Sequence, residues 1–162
     1  MVELREHARD LADNLVTGFA NESLRAAVDT VVGADGVIAV TPIFAASYSG
    51  LFKTFTDVIE KDALTGTPVL IAATAGTARH SLALEHAMRP LFAYLRAVVA
   101  PTAVFAAADD WGAGGDGTGA LSARVERAAG ELADLIAARP PAAPPDPFAD
   151  PTTSFEDLLR GS

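Results

Sequence analysis

The chain has 162 residues, half of them apolar and a fifth charged, with a formal net charge of −9 and no cysteine. That length fits one domain with a real core, and the missing cysteine excludes disulfides, thiol nucleophiles and thiolate-bound metals. The acidic balance argues against nucleic acid and anionic membranes, both of which need basic patches. The N-terminal Met-Val-Glu-Leu-Arg-Glu carries no apolar signal core and no run approaches a membrane span, so a cytoplasmic protein is expected.

Val2 to Leu4 has the composition of a strand's tail but is too short to define one. Ala8, Leu11, Ala12 and Leu15 mark a short amphipathic helix stopped at Gly18. Asn21 is a good N-cap for a second helix with Leu24, Val28, Val31 and Val32 on one face. Gly33 to Gly36 turns into Val37–Val40, a β-branched run that reads as a strand buried on both faces. Thr41-Pro42 is expected to end it, because proline gives no N–H to a sheet. A small-residue loop, Ala45 to Gly50, leads into a helix carrying Leu51, Phe52, Phe55, Val58 and Ile59 and fading near Lys61.

Val69 to Ala73 reads as the next strand, with Thr74 to His80 as its exit loop. Leu84, Ala87 or Met88, Leu91, Leu95 and Val98 then form a helical stripe that Pro90 should kink. Thr102 to Ala106 is a third strand, followed by Asp109, Asp110, Trp111 and a Gly-rich loop to Gly119. Leu121 to Ile136 is the last long amphipathic helix. This places one domain at residues 1–138. Residues 139–162 form a proline-rich tail whose Thr153 and Glu156 make a capping-box pattern before Leu158-Leu159. Strand alternating with helix implies parallel strands, hence a doubly wound α/β sheet whose exit loops share one edge. Ligands bind at that edge in open parallel sheets.

On residues alone the edge shows little chemistry. Gly-x-Ser-x-Gly is absent, and His80 and His86 are spaced poorly for a shared metal. Ser47, Tyr48 and Ser49 read by position as capping residues, and Gly76 as a positive-φ turn residue. Arg79 and His80 read equally as a solvated helix entrance or as contacts for nucleotide phosphates. His86 and Arg89 read as structural, and His7 as exposed on its helix. Trp111 reads as core or interface, or as the rim of a site, and Lys53 with Asp57 as an exposed i,i+4 pair.

Two segments add to this. Thr41-Pro42-Ile43-Phe44 with Ser47-Tyr48-Ser49-Gly50 and Lys53, and Thr74-Ala75-Gly76-Thr77-Ala78-Arg79-His80 with the helix to Leu91, resemble the flavin-contacting segments of NAD(P)H-dependent FMN reductases of the flavodoxin-like fold. They are most similar to the actinobacterial subgroup that supplies reduced flavin to luciferase-like monooxygenases. The resemblance implies FMN as substrate or loosely held cofactor, NADPH or NADH as reductant, a flavin-dependent monooxygenase as possible partner, and a dimer or higher homo-oligomer. It sets Thr41, Pro42, Ile43, Phe44, Ser47 and Tyr48 along one side of the flavin ring. Thr74, Ala75, Gly76, Thr77 and His80 lie along the other, with Leu51, Phe52 and Phe55 available to a partner subunit.

The sequence departs from the family in two ways. Ala75 stands where a second glycine is common, and nothing corresponds to the family's first strand and phosphate-holding loop. An N-terminally truncated flavodoxin-like sheet is therefore expected, with Val37–Val40 at an open edge and FMN held weakly. Alternative readings are a catalytically impaired dimerisation module and a quinone or azo-dye reductase.

Overall fold

The structure, a computed structural model, describes residues 1–111 and 117–139. Most of the Gly-rich loop before Gly119, the proline-rich tail and its capping-box segment lie outside the described residues.

Val2 and Leu4 join no strand. Residues Leu4–His7 wind into a single 3₁₀ turn, and both apolar side chains pack against the core. Helix α1 (Ala8–Thr17) ends where Gly18 takes φ 75°, which lets its N–H reach the Asn14 carbonyl. Helix α2 (Glu22–Val32) begins at Asn21, whose side chain accepts from the Leu24 N–H at 2.9 Å.

Strand β1 (Val37–Phe44) runs through Thr41-Pro42 instead of stopping there, pairing in parallel with strand β3 (Pro68–Ala75) from Val37↔Val69 to Pro42↔Thr74. Proline is tolerated because the opposite edge of Val37–Pro42 faces no strand among the described residues. β1 is also buried on one face only. Ala39, Thr41 and Ile43 point into the core, whereas Ile38, Val40 and Phe44 are 59, 55 and 64% exposed.

The expected loop after β1 is a hairpin. Ser47-Tyr48 forms strand β2, antiparallel to the end of β1. Helix α3 (Gly50–Val58) follows and ends before Lys61, at Ile59. Phe52 and Phe55 are buried within this chain, which removes them from the surface expected to meet a partner subunit; Leu51 is half-buried.

Thr74 and Ala75, expected in the exit loop, belong to β3, where they pair with strand β5 (Val104–Ala107). Helix α4 (Arg89–Tyr94) is preceded by a π-helical turn, Leu84–Met88, closed by the Arg89 N–H on the Leu84 carbonyl. The distortion expected from Pro90 takes the form of that widened turn. Val98 is not helical, because Arg96 at φ 58° ends the helix and Val98-Val99 becomes strand β4 beside Pro68-Val69.

Helix α5 (Gly117–Ala138) completes the order β2-β1-β3-β4, with β5 on the same side of β3 as β4. The result is an α/β fold with a mixed, mostly parallel sheet. One face carries α1 to α4 over Ala39, Ile43, Val69 and Ile71. The other carries α5, with Leu121, Ala128 and Leu132 over Leu70, Val104 and Ala106. Among the described residues no helix is long and apolar enough to cross a membrane.

Candidate functional site

Parallel pairing brings the ends of β1, β3 and β5 to one edge of the sheet, at Phe44, Ala75 and Ala107. Pro42 and Thr74 are register neighbours there, so the two segments singled out in the sequence share one ledge. The 3₁₀ turn Ala78–His80 packs beside β5, and the π-helical turn packs beside β2.

Thr41 is the post beneath this ledge. It is 1% exposed, and its Oγ1 accepts from the Ser49 N–H at 3.0 Å. The hydroxyl proton faces the Pro42 carbonyl at 3.0 Å and Ser49 Oγ at 3.4 Å. Ser49 Oγ in turn accepts from the Phe52 N–H at 3.2 Å, capping α3. Thr41 and Ser49 thus spend their hydroxyls inside the protein.

Above the post, Pro42, Phe44, Ala45 and Ala46 are exposed, with Ser47 and Tyr48 half-buried and Ile43 turned into the core. Ala45 and Ala46 both lie at positive φ, 47° and 66°. A two-residue hairpin twisted to match its strands requires this, but alanine adopts it only with strain. Tyr48 leans on Phe52 with ring centroids 5.9 Å apart, and Phe52 meets Phe92 edge-on at 6.2 Å. This aromatic chain ties the hairpin to α4.

On the β3 side Thr74 and Gly76 are exposed, and Ala75 and Thr77 half-buried. Gly76 is not at positive φ, and a Cβ there would meet nothing within 4 Å. Thr77 Oγ1 accepts from the Arg79 N–H at 3.4 Å, leaving the Arg79 side chain exposed and His80 half-buried. Beyond β5, the turn Ala108–Trp111 is fixed by Asp110, whose carboxylate accepts from the Ala107 N–H at 2.7 Å; Trp111 is 64% exposed.

Other charged groups serve the frame. Arg89 makes a two-pronged pair with Glu85 (2.6 and 2.9 Å) and donates to the carbonyls of Ala100 at 3.1 Å and Pro101 at 3.3 Å. That hydrogen bonding holds the Glu85 carboxyl below its ordinary range and raises the Arg89 guanidinium. Lys53 pairs with Asp57, which raises the lysine. His86 is exposed, and His7 is half-buried, 3.4 Å from the Ser23 hydroxyl.

The sequence reading missed Glu131, whose carboxylate accepts from the N–H and hydroxyl of Thr102, both at 2.7 Å. The partners are far apart in sequence, so no local signal marked them. None of the ledge residues lines the clefts of 330 Å³ (against α2) and 180 Å³ (against α4).

The ledge is therefore an open platform. Exposed Pro42 and Phe44 give it an apolar surface, small residues allow close approach to the backbone, and Thr74 and Thr77 bring hydroxyls. Arg79 is its cation apart from the paired Lys53. It suits a planar, partly apolar ligand with polar edges.

The chain is similar to several known proteins. The family profile described as NADPH-dependent FMN reductase matches residues 1–112. An FMN reductase (NADPH) of Pseudomonas aeruginosa is 37% identical over 139 residues, 86% of this chain and 75% of its own. The NADH-dependent FMN reductase SfnE of Pseudomonas putida is 38% identical over 138 residues, 85% of this chain and 74% of its own. Among solved structures, an oxidoreductase from Corynebacterium diphtheriae superposes with a TM-score of 0.81 at 48% identity, covering 86% of this chain and 75% of its own. The apo form of the NADH:FMN oxidoreductase EmoB gives 0.63 at 26% identity, covering 88% of this chain and 70% of its own.

Proposed function

Because the chain belongs to the NADPH-dependent FMN reductase family, we propose that it reduces FMN with NADPH or NADH on the β1–β3 ledge and releases reduced flavin to a flavin-dependent monooxygenase. The supporting observation is the register pairing of Pro42 with Thr74, which makes one surface of two segments lying far apart in sequence.

Pro42, Phe44, Ser47 and Tyr48 would lie along one side of the flavin ring, with Thr74, Ala75, Gly76, Thr77 and His80 along the other. Ile43 and Thr41 act from below: Ile43 anchors the strand end in the core, and Thr41 fixes Ser49 and the start of α3. The flavin, when bound, supplies the electron-accepting chemistry. The ledge would position the flavin for the nicotinamide, a transfer that needs no acid or base at the transferred hydride. Backbone N–H groups and the Thr74 and Thr77 hydroxyls at the rim would support negative charge on a reduced flavin. Arg79 is the cation available to a nucleotide phosphate.

Relatives named for NADPH and for NADH are equally similar to this chain, at 37 and 38% identity, so both reductants belong in the proposal. The test follows the loss of nicotinamide absorbance with each nucleotide, with and without added FMN. FMN-dependent oxidation is expected. Rates no higher than those without protein would overturn the activity. A purified homo-oligomer is also expected, and a monomer by light scattering would remove the oligomer from the proposal.

A further inference from the structure

One corner of the ledge sets an exposed cation near an exposed indole. Ala75 and Ala107 are register partners at the ends of β3 and β5. Each strand leaves the sheet through a 3₁₀ turn, Ala78–His80 and Ala108–Trp111, and the first of these packs beside β5. Arg79 stands four residues past one register partner and Trp111 four past the other, on neighbouring strands about 4.8 Å apart. β5 pairs with β3 on the side away from β1, so this corner is set by β3 and β5 alone.

Both side chains are open to a ligand. Trp111 is 64% exposed, although its turn is pinned by the Asp110 carboxylate on the Ala107 N–H. Arg79 is exposed as well, and the described ion pairs nearby engage other cations, Lys53 with Asp57 and Arg89 with Glu85. Thr77 Oγ1 accepts from the Arg79 N–H, which orders the backbone and leaves the guanidinium outside.

A cation beside an aromatic face fits one part of the reactants better than the others. FMN has a single aromatic system, its ring. A nicotinamide dinucleotide brings a second, the adenine, which stacks well on an exposed indole. NADPH differs from NADH by a 2′-phosphate on the adenosine ribose, and a phosphate monoester carries about −1.5 to −2 charge at pH 7. Exposed Asp109 and the net charge of −9 oppose such a group, so it is accepted only where a cation meets it. An arginine fork matches phosphate oxygens two at a time.

We propose that Trp111 stacks on the adenine and Arg79 binds the 2′-phosphate, so that this corner makes the chain prefer NADPH to NADH. The inference rests on the reading that a nicotinamide nucleotide reduces flavin on the ledge, and it names the residues that choose between the two nucleotides.

The test compares kcat/KM for NADPH and NADH in the wild type, Arg79→Gln and Arg79→Lys at low ionic strength, with FMN and with riboflavin as acceptor. Losing one charge-assisted hydrogen bond at an exposed site should lower the NADPH-to-NADH ratio about tenfold in Arg79→Gln. Arg79→Lys should keep most of the ratio, and added salt should shrink it in the wild type. An unchanged ratio in Arg79→Gln overturns the proposal. So does an equal loss with both nucleotides, which puts Arg79 on the pyrophosphate, or a loss with FMN but not riboflavin, which puts it on the flavin phosphate. Calorimetry needs no turnover. Adenosine 2′,5′-bisphosphate should bind the wild type about tenfold more tightly than adenosine 5′-monophosphate, and Arg79→Gln should erase that difference. Trp111→Ala should weaken both ligands roughly tenfold. Equal binding of the two ligands by the wild type refutes the phosphate contact, and wild-type affinities in Trp111→Ala refute the stack. If neither nucleotide supports flavin-dependent oxidation, the reductase reading fails, and calorimetry alone decides the inference.

Discussion

Replacing Thr41 by valine preserves shape and removes one hydroxyl from the base of the ledge. The loss leaves the Ser49 N–H, now bonded at 3.0 Å, without an acceptor in a place where Thr41 is 1% and Ser49 9% exposed. An unsatisfied buried donor costs about 1–3 kcal/mol. In a chain of this size each kcal/mol moves the midpoint by about 2–4 °C, so thermal unfolding followed by circular dichroism should shift down by roughly 2–12 °C. Ser49→Ala removes the cap on the Phe52 N–H and should cost about 1 kcal/mol. Because Thr41 serves chiefly the Ser49 backbone, which alanine retains, the two losses should add to within about 0.5 kcal/mol in the double variant. Strong coupling would mean that the 3.4 Å contact between the hydroxyls carries the effect instead. A Thr41→Val protein with wild-type stability and a raised KM for FMN would put the hydroxyl on the ligand and refute the supporting role.

Ala46→Gly should stabilise the protein by about 0.5–1.5 kcal/mol, because glycine relieves the cost of a left-handed alanine at φ 66°; a destabilised variant in chemical denaturation would show that the turn is not strained. Gly36→Ala should cost about 1–3 kcal/mol through overpacking against Ile136, and Ile136→Val should recover part of it. Failure of that rescue would place the clash elsewhere. Glu131 is held below its ordinary range by its bonds to the Thr102 hydroxyl and N–H. A carboxyl depressed in the folded state contributes stability that is present above its unfolded pKa, near pH 4.3, and lost as pH falls through the lower folded value. Glu131→Gln should therefore flatten the stability curve below about pH 4.3, and an unchanged acid limb would contradict the assignment.

The elements that obey one local rule were legible in the sequence. Asn21 and Gly18 bound their helices because capping is a property of a few adjacent residues, and α5 shows its apolar stripe over many turns. β1 was misjudged because Val37–Val40 is apolar on both faces, while only Ala39 found a covering layer. Composition could not reveal where α5 would stop covering the sheet. The hairpin at Ala45-Ala46 was hidden because it lacks the Asn-Gly or Gly-Gly signal that such a turn normally carries. Thr74 and Ala75 looked like loop because their small side chains say nothing of pairing, which depends on Pro42 and β5. In the ledge the residue types were visible, but their division was not. Thr41 and Ser49 share the composition of their neighbours, and only the packing shows that their hydroxyls turn inward.

Trp111 gives the molecule an optical property of its own. It is the single tryptophan of the chain and stands exposed at the end of the turn that follows β5, whose last residue, Ala107, pairs with Ala75. Indole emission overlaps flavin absorption, so a flavin resting on the ledge would drain the excited state of one chromophore whose address is known. Occupancy of that edge is thus readable in the untouched protein, without a dye or a label. Trp111→Phe would make the same surface dark, separating light that reports the ledge from light that only reports flavin in solution.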